Sequence, residues 1–168
     1  MALEIPEDMK VVMMQTWLPA LMTAVFDAVK DLPAKHRKAV LDKICVACED
    51  MAIAGALGIQ PGMSWDDYVK FVKDAPPPIG PWTLKKKGEV VDLIYDTTLG
   101  DDGKPQCHCP FVQLGIRRPI PDCCEGGARL SGKMIGGATG KKVAKAEVID
   151  TPITTGARVC HYRVWLGK

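Results

Sequence analysis

The chain has almost no net charge. Twenty-two Lys and Arg against twenty Asp and Glu leave +2 at pH 7 over 168 residues, too little to argue for nucleic acid on electrostatic grounds. Its basic runs of note, Lys85-Lys86-Lys87 and Lys141-Lys142, have no aromatics interleaved and read as solvated surface. Met1 to Glu7 is acidic and lacks a basic segment followed by an apolar core, so no signal peptide is expected. The longest uncharged run, Val11 to Phe26, contains Gln15, Thr16, Pro19 and Thr23 and falls short of the roughly 20 apolar residues of a membrane span. A cytoplasmic location is therefore expected. Gly-x-Ser-x-Gly, a phosphate-binding glycine loop and His-Glu-x-x-His are all missing, and with them the usual sequence marks of serine hydrolases, nucleotide enzymes and zincins. There is no internal repeat, and no low-complexity segment beyond Pro76-Pro77-Pro78.

Cysteine, by contrast, is plentiful: seven, an odd number. In a compartment that keeps thiols reduced, such a set fits metal or thiol chemistry better than a disulfide framework. Four of the seven fall in one stretch, as Cys107-His108-Cys109-Pro110 and, ten residues on, Pro121-Asp122-Cys123-Cys124-Glu125. Thiolates are soft ligands and strong nucleophiles, and both roles require them to be gathered in space.

The pattern of apolar residues predicts an α+β fold in one domain, with a helical half (residues 1–75), a proline-rich connector (76–81) and a cysteine-rich α+β half (82–168). Val11, Met14, Leu18, Leu21, Met22, Val25 and Val29 share one helical face, interrupted by Pro19, which predicts a kink or a second helix starting near Leu18. A further helix is expected from about Pro33 to Leu57, with Leu41, Ile44, Cys45, Cys48, Ala52 and Ala56 on its apolar face. Its basic start (Lys35, His36, Arg37, Lys38) has the wrong sign for the helix dipole and predicts fraying. Ser64 with Asp67 reads as a capping box for a helix over Trp65 to about Lys73. Glu89 to Asp96 is strand-like, Asp101-Asp102-Gly103 a turn. Asp122 with Glu125 suggests a second capping box, for a helix from near Cys123 to about Ile135. Its five glycines, 126, 127, 132, 136 and 137, mean either close approach of another group or a flexible loop. Val143–Asp150 and Arg158–Leu166 form a terminal hairpin, in which Cys160, Tyr162, Val164 and Leu166 share one face and His161, Arg163 and Trp165 the other.

For metal chemistry, Cys107 and Cys109 can both reach one ion from an extended loop. Cys123 and Cys124 at a helix start would have lowered thiol pKa values from free N–H groups and the dipole. Consecutive helical residues point about 100° apart, so a regular helix turns only one of them to a given ion. Three of these four with Cys45, Cys48 or His108 is the easier geometry. Cys45 and Cys48 are otherwise two small core side chains, and Cys160 reads as core. Zinc is the default occupant, and an iron–sulfur cluster uses the same ligand type. Nucleophilic catalysis is the competing reading, with His108 or His161 as the base.

The frame Cys107-His108-Cys109-Pro110-Phe111-Val112, Pro121-Asp122-Cys123-Cys124-Glu125-Gly126, then a helix, Val143 to Ile149, and Gly156-Ala157-Arg158-Val159-Cys160-His161-Tyr162 resembles the small cysteine-rich proteins grouped near 4-vinyl reductase-type domains and L-2-amino-thiazoline-4-carboxylic acid hydrolase-like proteins. The similarity covers about the last 80 residues. It implies a fold related to the ligand-binding domains of nitric-oxide sensing and Golgi-transport proteins: helices packed on a small antiparallel sheet around a central apolar cavity. It also implies a small hydrophobic or heterocyclic ligand, and metal ligation by Cys107, Cys109, Cys123 and Cys124, with Cys45 and Cys48 joining them. The expectation is a metal-binding small-molecule-binding or sensor/accessory protein, with no nucleic-acid or membrane partner and with room for a homodimer. A metal- or thiol-dependent hydrolase of a small C–N/C–S heterocycle is the alternative, and a redox or metal-trafficking relay a third reading.

Overall fold

Two hydrophobic periods meet in this chain, one of three to four residues and one of two, and together they build an α+β structure. The computed structural model describes residues 6–51, 62–75, 81–100, 102–107, 109–116 and 121–167, without the side chains of 48–51, 110, 113 and 121. The proline-rich stretch 76–80, His108 and the expected helix end beyond residue 51 lie outside the described residues.

The first helical rod has three parts: α1 (Glu7–Val12), a π-helical turn (Met13–Trp17) and α2 (Leu18–Lys30). Pro19 has no N–H to offer the carbonyl of Gln15 and its ring crowds that carbonyl, so the turn before it widens and a second helix starts at Leu18. The rod of 24 residues is long and apolar enough to cross a membrane by length and composition, with a mean hydropathy of 1.3 over its most apolar window. Its far end belongs to the fold, however. Phe26 and Val29 are buried with Leu41 of α3 (Ala34–Met51), and with Ile116 and Cys123. Phe111 stands edge-on to Phe26, ring centroids 5.8 Å apart.

Ser64 caps α4 (Trp65–Asp74) as expected: its Oγ accepts from Asp67 N at 3.1 Å and donates to Asp67 Oδ2 at 2.7 Å. Tyr68 and Val72 then face the core. A four-stranded antiparallel sheet follows, ordered β1 (Thr83–Lys87), β2 (Val90–Asp96), β6 (Val159–Leu166) and β5 (Val143–Asp150). Strand β1 contains the triple lysine read above as plain surface. It turns into β2 at Gly88, where φ is +60°, and lysines on an edge strand discourage pairing with another chain. Thr98–Leu99 (β3) and Pro105–Gln106 (β4) make a small second ladder around the expected turn at Asp102-Gly103. A short helix α5 (Pro110–Gln113) and a 3-10 turn (Pro121–Cys124) lead into α6 (Glu125–Thr139).

Strand β6 alternates strictly, with Cys160, Tyr162, Val164 and Leu166 inward. Val164 pairs with Val91 and Ala146, and Tyr162 with Leu93 and Val148, so one sheet face is continuous and apolar. Helix α6 lies on it: Met134, Ile135 and Ala138 pack with Val91, Leu93, Val164 and Leu166, and Tyr68 and Val72 of α4 join the same cluster. Helix α6 runs four residues past the expected end and stops at Gly140, φ +69°.

The basic start of α3 does not fray for want of partners. Arg37 Nε donates to Asp122 Oδ2 at 3.0 Å, Lys38 Nζ to Glu125 Oε2 at 2.9 Å, and Arg129 donates to Asp42 Oδ1 at 2.7 Å. These ion pairs tie α3 to the start of α6. They also overturn the second expected capping box: Asp122 turns to Arg37, Cys124 is the N-cap residue, and no side chain caps the helix.

Candidate functional site

Six of the seven cysteines lie at or beside the N-terminal turn of α6, on two sides of it. Cys123 and Cys124 sit in the 3-10 turn that precedes the helix, and consecutive positions there point in different directions. Cys123 enters the apolar cluster of Phe26, Val29, Leu41 and Ile116. Cys124 turns to the sheet, its Sγ 3.4 Å from Thr151 Oγ1.

On that sheet side, Cys107 and Cys160 are buried with Tyr95, Tyr162 and Ala128, and Cys109 packs against them. Tyr162 is the common neighbour. Its hydroxyl is held well above the ordinary phenol pKa, first by burial and then by the negative charge that Cys160, Cys124, Cys107 and Cys109 would bring as thiolates. Tyr95 is raised by burial and by Cys160 in the same way. Four thiols from three places thus lie within electrostatic reach of one hydroxyl: two from the loop after β4, one from the start of α6, and one from β6. Trp82 closes the other side, its ring centroid 4.8 Å from that of Tyr95 and 6.0 Å from that of Tyr162.

The glycines at the start of α6 make this approach possible. A Cβ on Gly127 would stand 2.6 Å from the Tyr162 hydroxyl oxygen, and one on Gly126 would stand 2.8 Å from Cys45 Cβ; both distances are closer than real Cβ atoms come. The close-approach explanation therefore holds for these two, and Cys45 reaches the first turn of α6 from the α3 side. The backbone of Cys48 continues α3, and its side chain lies outside the described residues.

Thr151, fully buried, positions Cys124. Its Oγ1 accepts from Thr154 N at 3.1 Å, its N–H donates to Thr154 Oγ1 at 2.9 Å, and the Thr154 hydroxyl donates to Thr151 O at 3.3 Å. The Thr151 hydroxyl lies 3.0 Å from Thr154 Oγ1 and 3.4 Å from Cys124 Sγ; where it donates to the sulfur, the bond favours a thiolate. The free N–H groups of the first turn of α6 act in the same sense.

The donors are right in kind for zinc or an iron–sulfur cluster. Among the described residues, however, no three Cys, His, Asp or Glu side chains close on one point as an ion requires; His108 lies outside them. The expected set is therefore divided: Cys107, Cys109 and Cys124 are brought around Tyr162, Cys123 and Cys45 lie toward the helices, and Cys160 joins the first group. Strand alternation had already turned Cys160 inward with Tyr162, which was the available signal. His161 points the opposite way, its Nε2 2.9 Å from Asp92 Oδ1, with Arg163 Nε donating to the same oxygen at 2.7 Å. It is on the wrong face of β6 to serve as a base for Cys160. An open depression of about 390 Å³ is lined by Asp42, Lys43, Val46 and Ala47 of α3; none of these belongs to the thiol group.

The chain matches no protein-family model. No curated protein matches it either.

Proposed function

We propose that this chain binds a metal through Cys107, Cys109, Cys124 and Cys160, as a small-molecule-binding or sensor/accessory protein of the kind its cysteine frame resembles. The observation that supports this reading is the packing of Cys107, Cys109 and Cys160 with Tyr162, with Cys124 of the helix start within electrostatic reach of the same side chain. Gathering four buried or half-buried thiols favours soft-cation ligation, since each ligand binds as thiolate and the ion stabilises that charge, with the α6 dipole adding to it at Cys124. Zinc is the proposed occupant, an iron–sulfur cluster the alternative. The hydrolase alternative would rest on a bound metal or on His108 as base, since His161 is engaged with Asp92 on the opposite sheet face.

Elemental analysis and an absorption spectrum of freshly purified protein test this. About one zinc per chain without colour, or absorbance near 400 nm with iron and sulfide, is expected. Cys124→Ser and Cys160→Ser should each lose most of the metal, while Cys123→Ser keeps it. Metal-free protein whose Tm does not respond to added zinc or to a chelator overturns the proposal.

A further inference from the structure

We infer that the rod Glu7–Lys30 is the interface of a homodimer, two copies packing antiparallel along it. Sixteen consecutive residues, Val11 to Phe26, carry no charge. Met9, Val11, Val12, Met14, Trp17 and Leu21 are each between 43% and 59% exposed. A helix apolar on all sides is ordinarily buried, yet only 11% of the most apolar window of this rod is buried within its own chain.

The exposed apolar surface is large for a single chain. Six large side chains left about half in water, with Ala20, Ala24 and Ala28 exposed beside them, present roughly 600 Å² of apolar area. That is at the upper limit for a monomer, and the part of it on the Trp17 and Leu21 side suits a small interface, below the ~800 Å² per partner of a standard one. The pattern suits self-pairing. Trp17, Leu21, Ala24 and Ala28 follow one another at steps of four, three and four, so they form one stripe in which two large residues are followed by two small ones. Reversing a copy sets Trp17 and Leu21 of each rod opposite one another, with the alanines flanking them where backbones can approach closely. The uncharged runs coincide in length, and the charged residues at either end, Glu7, Asp8 and Lys10 against Asp27, Lys30 and Asp31, flank the contact. A two-fold axis makes such a contact self-complementary and closed.

A bilayer fits the rod less well. The stretch that protrudes, about Met9 to Leu21, is roughly 20 Å long, short of a hydrocarbon core of about 30 Å, because Phe26 and Val29 are held in the helical core. In-plane binding calls for a polar, basic helix face, and no basic residue lies between Lys10 and Lys30.

Sedimentation equilibrium of the full chain, without detergent, is the test. Wild type should be a dimer at micromolar concentration, and Trp17→Glu with Leu21→Glu should raise the dissociation constant roughly a hundred-fold or more. Both side chains are exposed, so the circular dichroism should hold. If that variant misfolds, Ala24→Arg, at an exposed small residue, probes the same stripe and should also yield monomers. A wild-type monomer, or a dimer that survives either substitution, overturns the proposal. So does a wild-type monomer that cosediments with phosphatidylcholine/phosphatidylglycerol vesicles, which would assign the rod to lipid.

Discussion

Cys123 and Gly126 face the helices, whereas Cys124 and Gly127, one residue on in each case, face the sheet. The start of α6 is thus the seam between two unlike layers. The sheet layer is a continuous core in which α6 and α4 cover one face of four paired strands. The helical layer is a small cluster around Phe26 and Leu41, attached to α6 by that cluster and by ion pairs whose side chains are a quarter to three-fifths exposed. Exposed pairs contribute little, about 0–1 kcal/mol each, so the attachment rests on apolar contact. The two layers should therefore separate more readily than either strand of the sheet does.

The largest test of that difference is Phe26→Ala. Deleting a fully buried ring should cost about 3–5 kcal/mol. By hydrogen exchange, amides of α1, α2 and the start of α3 should speed up while those of β2 and β6 keep their protection; equal loss in both layers would mean one cooperative unit. Next come the adjacent glycines. Gly126→Ala and Gly127→Ala should each destabilise by about 1–3 kcal/mol, since Cys45 or Tyr162 must move. Their partners differ: Tyr162→Phe should partly rescue Gly127→Ala and leave Gly126→Ala unchanged in a double-mutant cycle, and only Gly127→Ala should weaken metal retention. Neutralising Arg37 or Lys38 should cost at most about 1 kcal/mol, shrinking with added salt, as read from urea midpoints.

The smallest effect belongs to the open sheet face. The Arg163 hydrogen bond, and then that of His161, hold the Asp92 carboxyl below its ordinary pKa, against the opposing cost of burial. The stability this supplies is fully present above the ordinary carboxylate value of about 4 and is lost as pH falls through the lowered one. Asp92→Asn should flatten the acid limb of a Tm-against-pH curve in that window and leave neutral-pH metal content unaltered.

Much of this architecture was legible in the residues. Strict alternation from Cys160 to Leu166 specifies which face of β6 is buried, because a strand has a period of two and tolerates no slip. Ser64-x-x-Asp67 specifies a helix start because cap and backbone are neighbours in the chain. Strand β1 was not legible: three lysines describe an edge strand and an exposed loop equally well, and the pairing with β2 decides between them.

The candidate site divides along the same line. The frame of thiols and the parting of adjacent Cys123 and Cys124 could be read from residue order, since both follow from local geometry. Which of the two faces Tyr162, that Cys160 stands with them, and that Asp122 leaves its helix to bind Arg37 were decided by the tertiary structure alone. Each depends on residues tens of positions away, and no local pattern records where such residues come to rest.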